Sequence, residues 1–143
     1  MYQTPCWTTI SAVPTQRDVQ RIALSLPAAE KVRDRLAFGV RCKGKLKEFA
    51  WVWMERADAK KPRVPNPTVI AVRVAGAAEK ERRLAERPDV LFTEPHYTGF
   101  PAVLVRLDAV GMAELRLLLT EAWKCQAPID LKRRLAGPST KRR

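Results

Sequence analysis

His96 is the single histidine of the chain, with Glu94 two residues before it and Tyr97 beside it. A histidine next to a carboxylate can exchange protons near neutral pH. Catalysis needs more than that pair: a nucleophile, a stabiliser of developing charge, or a metal. The three cysteines, Cys6, Cys42 and Cys125, lie far apart, and no close cluster of His, Cys, Asp and Glu offers a metal site. There is no phosphate-cradling glycine loop and no nucleophile motif. His96 therefore reads as a structural or surface residue. The expectation is a protein with no catalytic residues, no metal and no cofactor.

The basic residues suggest a different chemistry. The net charge is +12, which attracts polyanions. Half of that excess sits in the last twelve residues, as Lys132, Arg133, Arg134, Lys141, Arg142 and Arg143, with no acid among them. Arg41, Lys43, Arg73 and Arg106 fall in strand-like segments, each on the parity opposite the more apolar set. If helices cover the apolar face, these cations share the open one. Trp51 and Trp53 join them if their strand turns that parity outward, and rings among arginines suit stacking on unpaired bases.

Lys60, Lys61 and Arg63 lie in a proline-stiffened loop that could lie on phosphates, although Glu55 and Asp58 weaken its field. No helix carries a run of Arg, Lys, Asn or Gln suited to a major groove. The expected function is weak nucleic-acid binding with little sequence preference, DNA before RNA. The competing reading is a groove of Trp51, Trp53, Tyr97 and Phe100 for a protein or small ligand. Salt separates the two, because phosphate binding weakens steeply as salt rises.

The elements that must position these residues follow from periodicity. The chain has 143 residues, 46% hydrophobic and 29% charged, which fits one globular domain. Residues 1–14 form an extended lead-in. Thr15 caps a helix, with Asp18 completing a capping box, and Val19, Ile22, Ala23 and Leu26 make its apolar face. Pro27 ends it, and residues 28–34 could add one more turn.

From Leu36 the period is two. Phe38, Val40 and Cys42 mark one strand, Gly44 a turn, and Phe49, Trp51 and Trp53 a second strand. Three prolines exclude regular structure from residues 55–67. Thr68–Ala75 is a third strand, Ala77–Arg87 a polar surface helix, and 89–101 irregular. Ala102–Asp108 is a fourth strand. The last helix starts at Gly111, presents Leu115, Leu118, Leu119 and Ala122, and ends before Pro128. Residues 129–143 form a basic mobile tail after a domain spanning 15–128. The fold class is α+β in two layers, an antiparallel sheet with helices on one face.

No apolar run approaches the ~20 residues that span a bilayer. The N-terminus lacks the basic start and apolar stretch of a signal peptide, and the odd cysteine count argues against a disulfide framework. A cytoplasmic monomer without membrane partners is expected.

The chain resembles the MmcQ/YjbR-like family from about Asp18 to Pro128. The resemblance rests on 23-ALSLPAAE-30, 36-LAFGV-40, the strand 45–53, 95-PHYTGF-100, 103-VLVRLD-108 and 121-EAWKCQAP-128, in that order and spacing. It implies a CyaY-like fold with a curved antiparallel sheet, and DNA binding. Pro101-Ala102 stands where family members often carry a tryptophan.

Residues 132–143 have little apolar content, so their deletion should barely change stability. If half of their six cations engage duplex phosphates, the 1–131 chain should show a slope of log affinity against log salt flatter by roughly 2–3 units. Titrations of both chains at several salt concentrations measure this. An unchanged slope would leave the tail without a role on phosphate.

Overall fold

The Thr15 hydroxyl accepts a hydrogen bond from the Asp18 amide at 3.4 Å, and the Asp18 carboxylate accepts from the Thr15 amide at 2.9 Å. This reciprocal cap starts helix α1, Gln16–Leu24, and satisfies backbone donors that have no partner within the helix. The computed structural model of the chain describes residues 13–55, 60 and 62–136. After α1 come strands β1 (Ala29–Lys31), β2 (Ala37–Cys42), β3 (Lys45–Glu55) and β4 (Val64–Arg73), then helix α2 (Ala77–Glu86). Strand β5 (Leu91–Phe92), a 3-10 turn at Pro95–Tyr97, β6 (Ala102–Arg106), and helices α3 (Met112–Gln126) and α4 (Ile129–Ala136) complete the fold.

The six strands form one sheet in the order β1-β2-β3-β4-β6-β5. Every neighbouring pair is antiparallel. Helices α1 and α3 pack on the same face, as the period of their apolar residues requires. Val19, Ile22, Leu26, Leu115, Leu118 and Leu119 are all buried, in one core with Phe38, Val40, Ile70, Val72, Val103 and Val105. Fully buried Trp123 donates its indole N–H to the Pro27 carbonyl at 3.0 Å, which ties α3 to the end of α1. The architecture is the α+β two-layer arrangement that the periodicity predicts. Among the described residues, no helix is long and apolar enough to cross a membrane.

Residues 89–101 are not wholly irregular, since they hold β5 and the 3-10 turn, and four further local expectations differ from the structure. Residues 28–34 do not extend the helix. Ala28 adopts a left-handed φ of 57°, which reverses the chain, and Ala29–Lys31 pairs with β2 as an edge strand. Prolines do not exclude structure from residues 55–67, because β4 begins at Val64 and carries Pro65 and Pro67. There β4 pairs with β3 alone, since its pairing with β6 covers only Val69–Arg73. A proline on such an edge stretch can leave its missing N–H toward solvent. The register jump beside it is stabilised by Asn66, whose side-chain oxygen accepts from the Thr68 amide at 2.9 Å.

Third, residues 129–136 form a helix rather than the start of a free tail, and Leu131 packs against the core. A cut after residue 131 falls inside α4, so it removes the last part of a helix as well as charge. Fourth, α2 is not wholly superficial: it buries Lys80. Residues 1–14 as a lead-in, and residues 137–143 with Lys141, Arg142 and Arg143, lie wholly or mainly outside the described residues, as does Lys61.

Gly39 in β2 shows how closely the sheet is built. A Cβ there would stand 2.9 Å from both the Leu46 Cγ and the Lys47 carbonyl oxygen. The β2–β3 register shifts at this point, and the backbone oxygen cannot yield as a flexible side chain would. Gly39→Ala should cost roughly 1–3 kcal/mol in denaturant unfolding. An unchanged midpoint would show that the strand relaxes freely here.

Candidate nucleic-acid interface on the open sheet face

The face of the sheet away from α1 and α3 is set by register. Ala37, Trp51, Ala71, Leu104 and Phe92 form one row across five strands. On β4 and β6, Arg73 lies opposite Ala102 and Val69 opposite Arg106 on the same face. Small residues in the row leave room for large rings above them. Val69, Ala71 and Leu104 are buried beneath Trp51, Trp53, Phe92 and Tyr97, which are themselves half-buried.

The rings meet edge to face: Trp51 with Phe100 at 6.1 Å, Trp53 with Phe92 at 5.7 Å, and Tyr97 with Phe100 at 5.9 Å. This geometry aligns positive ring edges with negative ring faces. The Trp51 indole N–H donates to the Tyr97 hydroxyl at 3.0 Å. Burial pushes the Tyr97 phenol above its usual pKa, against the bond from Trp51. The Trp53 indole nitrogen is buried and makes no hydrogen bond among the described residues.

Two guanidiniums stand on these rings. The Arg106 group lies 4.2 Å from the Phe92 centroid and the Arg73 group 5.4 Å from that of Phe100. Both are cation–π distances. Neither arginine has a salt bridge among the described residues. Their register places them four residues apart along the sheet, about 14 Å at strand rise. A single extended polyanion could touch both.

The segment carrying Tyr97 and Phe100 is held by Lys80. Lys80 is only 8% exposed, and its ammonium donates to the carbonyls of Tyr97 at 2.6 Å and Phe100 at 2.9 Å. Gly99 between them takes a left-handed φ of 81°, open to a residue without Cβ. Burial lowers the Lys80 pKa from its ordinary value.

The structure assembles some of the residues expected to bind and separates others. Trp51, Trp53, Arg73 and Arg106 share the open face. Arg63 is half-buried and donates to the Met54 carbonyl at 3.1 Å, so it reads as a strand-end brace. Arg41 has the expected parity but is held by both Glu30 oxygens, at 3.0 and 3.2 Å. Its charge is compensated, and it lies at the far end of β2. Lys43 is exposed in the hairpin turn beyond it, and Lys60 is exposed in the β3–β4 loop.

Lys132 and Arg133 belong to α4, whose Leu131 joins the helix-side core, so they lie away from the rings. The side chains of Arg134 and His96 lie outside the described residues. Phe92 and Lys80 went unread in the sequence. Phe92 stands in a two-residue strand too short for a periodic signal, and Lys80 sits in a run of charges that looks solvated.

No family model matches the chain. Over 67 residues it is 45% identical to the uncharacterized protein Rv2570 of Mycobacterium tuberculosis and to Mb2600 of Mycobacterium bovis. The match covers 47% of this chain and 52% of each relative, so the chain spans about half the length of the curated relatives it matches. In fold it is similar to the crystal structure of Deinococcus radiodurans DR2400, a DUF419 domain. That likeness has a TM-score of 0.60 at 20% identity and covers 96% of this chain and 94% of that one. It shows the fold.

Tyr97→Phe keeps the ring and deletes the hydroxyl that holds the Trp51 indole. We expect a loss of about 1–2 kcal/mol in denaturant unfolding, with a shift in the Trp51 indole N–H resonance. A neutral result would mean that water replaces the phenol without cost.

Proposed function

We propose that this chain is a non-catalytic nucleic-acid-binding domain of the MmcQ/YjbR-like type, holding DNA, or else RNA, weakly and with little sequence preference. The observation that carries the reading is the pair of guanidiniums, Arg73 and Arg106, without acid partners among the described residues. Both stand over aromatic rings on one sheet face. Phosphates would meet the arginines, and unpaired bases would stack on the outer surfaces of Trp51, Trp53 and Phe100. Phe100 is 41% exposed, which leaves part of its surface for a base. Arg73 and Arg106 lie over rings and about 14 Å apart along the sheet, an arrangement that suits phosphate contact and stacking more than base-edge readout, hence the low sequence preference.

The helix layer supports the choice of face. Arg82 and Arg83 pair with Glu79, and Arg87 with Glu114, so much of its positive charge is already met. The neighbour's DUF419 domain is related to the MmcQ/YjbR family, in agreement with the resemblance of the sequence motifs. Free Cys42 and Cys125 suit a reducing compartment, and we place the domain in the cytoplasm as a monomer.

The convergence of Trp51, Trp53, Tyr97 and Phe100 also favours the second reading, an aromatic groove for a protein or small-molecule partner. Salt dependence decides between them. On a short single-stranded oligonucleotide, the Arg73→Gln/Arg106→Gln double variant should flatten the slope of log affinity against log salt by about 1.4 units. The loss should be similar for all sequences. Arg116→Gln, which removes one charge from the exposed side of α3, should do far less. Oligonucleotide binding that ignores salt, or no binding at low salt, would favour the groove.

A further inference from the structure

Behind the ring cluster, between α2 and the segment before β6, lies a cavity of about 320 Å³. Its walls include Leu84, Phe100, Pro101, Thr93 and Thr98, and Lys80 lines it as well. The space equals about ten water volumes, at the small end of ligand pockets. The walls are mainly apolar, which suits an organic occupant better than a string of waters.

Lys80 makes the cavity chemically specific. An ammonium has three donors. Two go to the Tyr97 and Phe100 carbonyls, which leaves one. Among the described residues Lys80 has no ion pair, so its charge is met by carbonyl dipoles alone. A buried cation without a counter-ion favours any anion that can reach it. The other charge at the cavity is Glu81, which is exposed at the rim and discourages a large anion from lying across the mouth.

We infer that this cavity is a binding site for a small amphipathic monocarboxylate, its carboxylate on the third Lys80 N–H and its apolar body against Leu84, Phe100 and Pro101. Thr93 and Thr98 add polar residues to the same lining. A neutral amide of the same shape would gain the apolar contacts but not the charge pairing, and an amine would meet Lys80 as a like charge.

Backbone-amide NMR on the full chain tests this with phenylacetate, phenylacetamide and phenethylamine as probes. Phenylacetate should produce saturable shifts at Lys80, Thr93 and Thr98–Phe100, with a Kd on the order of millimolar, as suits so small a ligand. Phenylacetamide should bind at least about fivefold more weakly, since charge-assisted bonds are roughly twice as strong as neutral ones.

Lys80→Met should abolish the difference between acid and amide. Because that change also frees the loop, Glu81→Gln is the second variant. It leaves the anchor intact and should tighten phenylacetate about twofold while leaving the amide unchanged. Equal affinity for acid and amide, preference for the amine, or no saturation up to about 20 mM would overturn the proposal.

Discussion

Strands β4 and β6 bury side chains on both faces, yet the two principal helices, α1 and α3, cover only one. Ile70, Val72, Val103 and Val105 face the helices, while Val69, Ala71 and Leu104 face the other way and are equally hidden from water. An antiparallel sheet commonly leaves one face to solvent with polar residues. Here the second face is apolar at its centre, so something must cover it. The cover consists of aromatic side chains from β3 and β5 and from the 95–100 segment, a 3-10 turn and its continuation held in place by Lys80. Much else in the domain follows from that arrangement, including why a lysine is buried in a surface helix.

A cover built from rings differs in kind from one built of helix. Helices α1 and α3 meet the sheet mainly with Leu, Ile, Val and Ala, and the ring they bury, Trp123, has its indole N–H taken by the Pro27 carbonyl. The rings leave edges and faces in water, and cations settle on those faces. Arg73 and Arg106 gain contact with Phe100 and Phe92 without losing charge. In α2 the arginines are instead drawn into pairs with glutamates three and four residues away, the spacing at which helical neighbours meet. Among the described residues, the arginines over the rings carry no salt bridge, whereas Arg82 and Arg83 of α2 do. That asymmetry directs the functional reading to the open face.

Much of this was legible in the residues. Thr15 and Asp18 have the spacing of a capping box, and the box is present. The period of Val19, Ile22 and Leu26, and of Leu115, Leu118 and Leu119, placed two helices on one core. Strand parity placed Arg73 and Arg106 together because a strand alternates faces strictly, and Trp51 and Trp53 followed the same rule. Features set by tertiary position were not legible. Pro65 and Pro67 break a central strand but not an edge stretch, and the sequence does not say which neighbour a strand lacks. Ala28 takes a left-handed conformation that nothing in its side chain demands. Arg41 has the right parity, but Glu30 reaches it only because β1 exists. Lys80 looks like one of many solvated charges until the loop above it presents two carbonyls.

Chemical-shift mapping with a short single-stranded oligonucleotide at low salt tests the central claim most directly, because it reads the face rather than the affinity. Binding at the open face should give saturable shifts in the amides of β3, β4 and β6 and in the indole N–H signals of Trp51 and Trp53, while the buried indole of Trp123 stays in place. Shifts confined to α1, α3 and α4, with the Trp51 and Trp53 indoles unmoved, would contradict it.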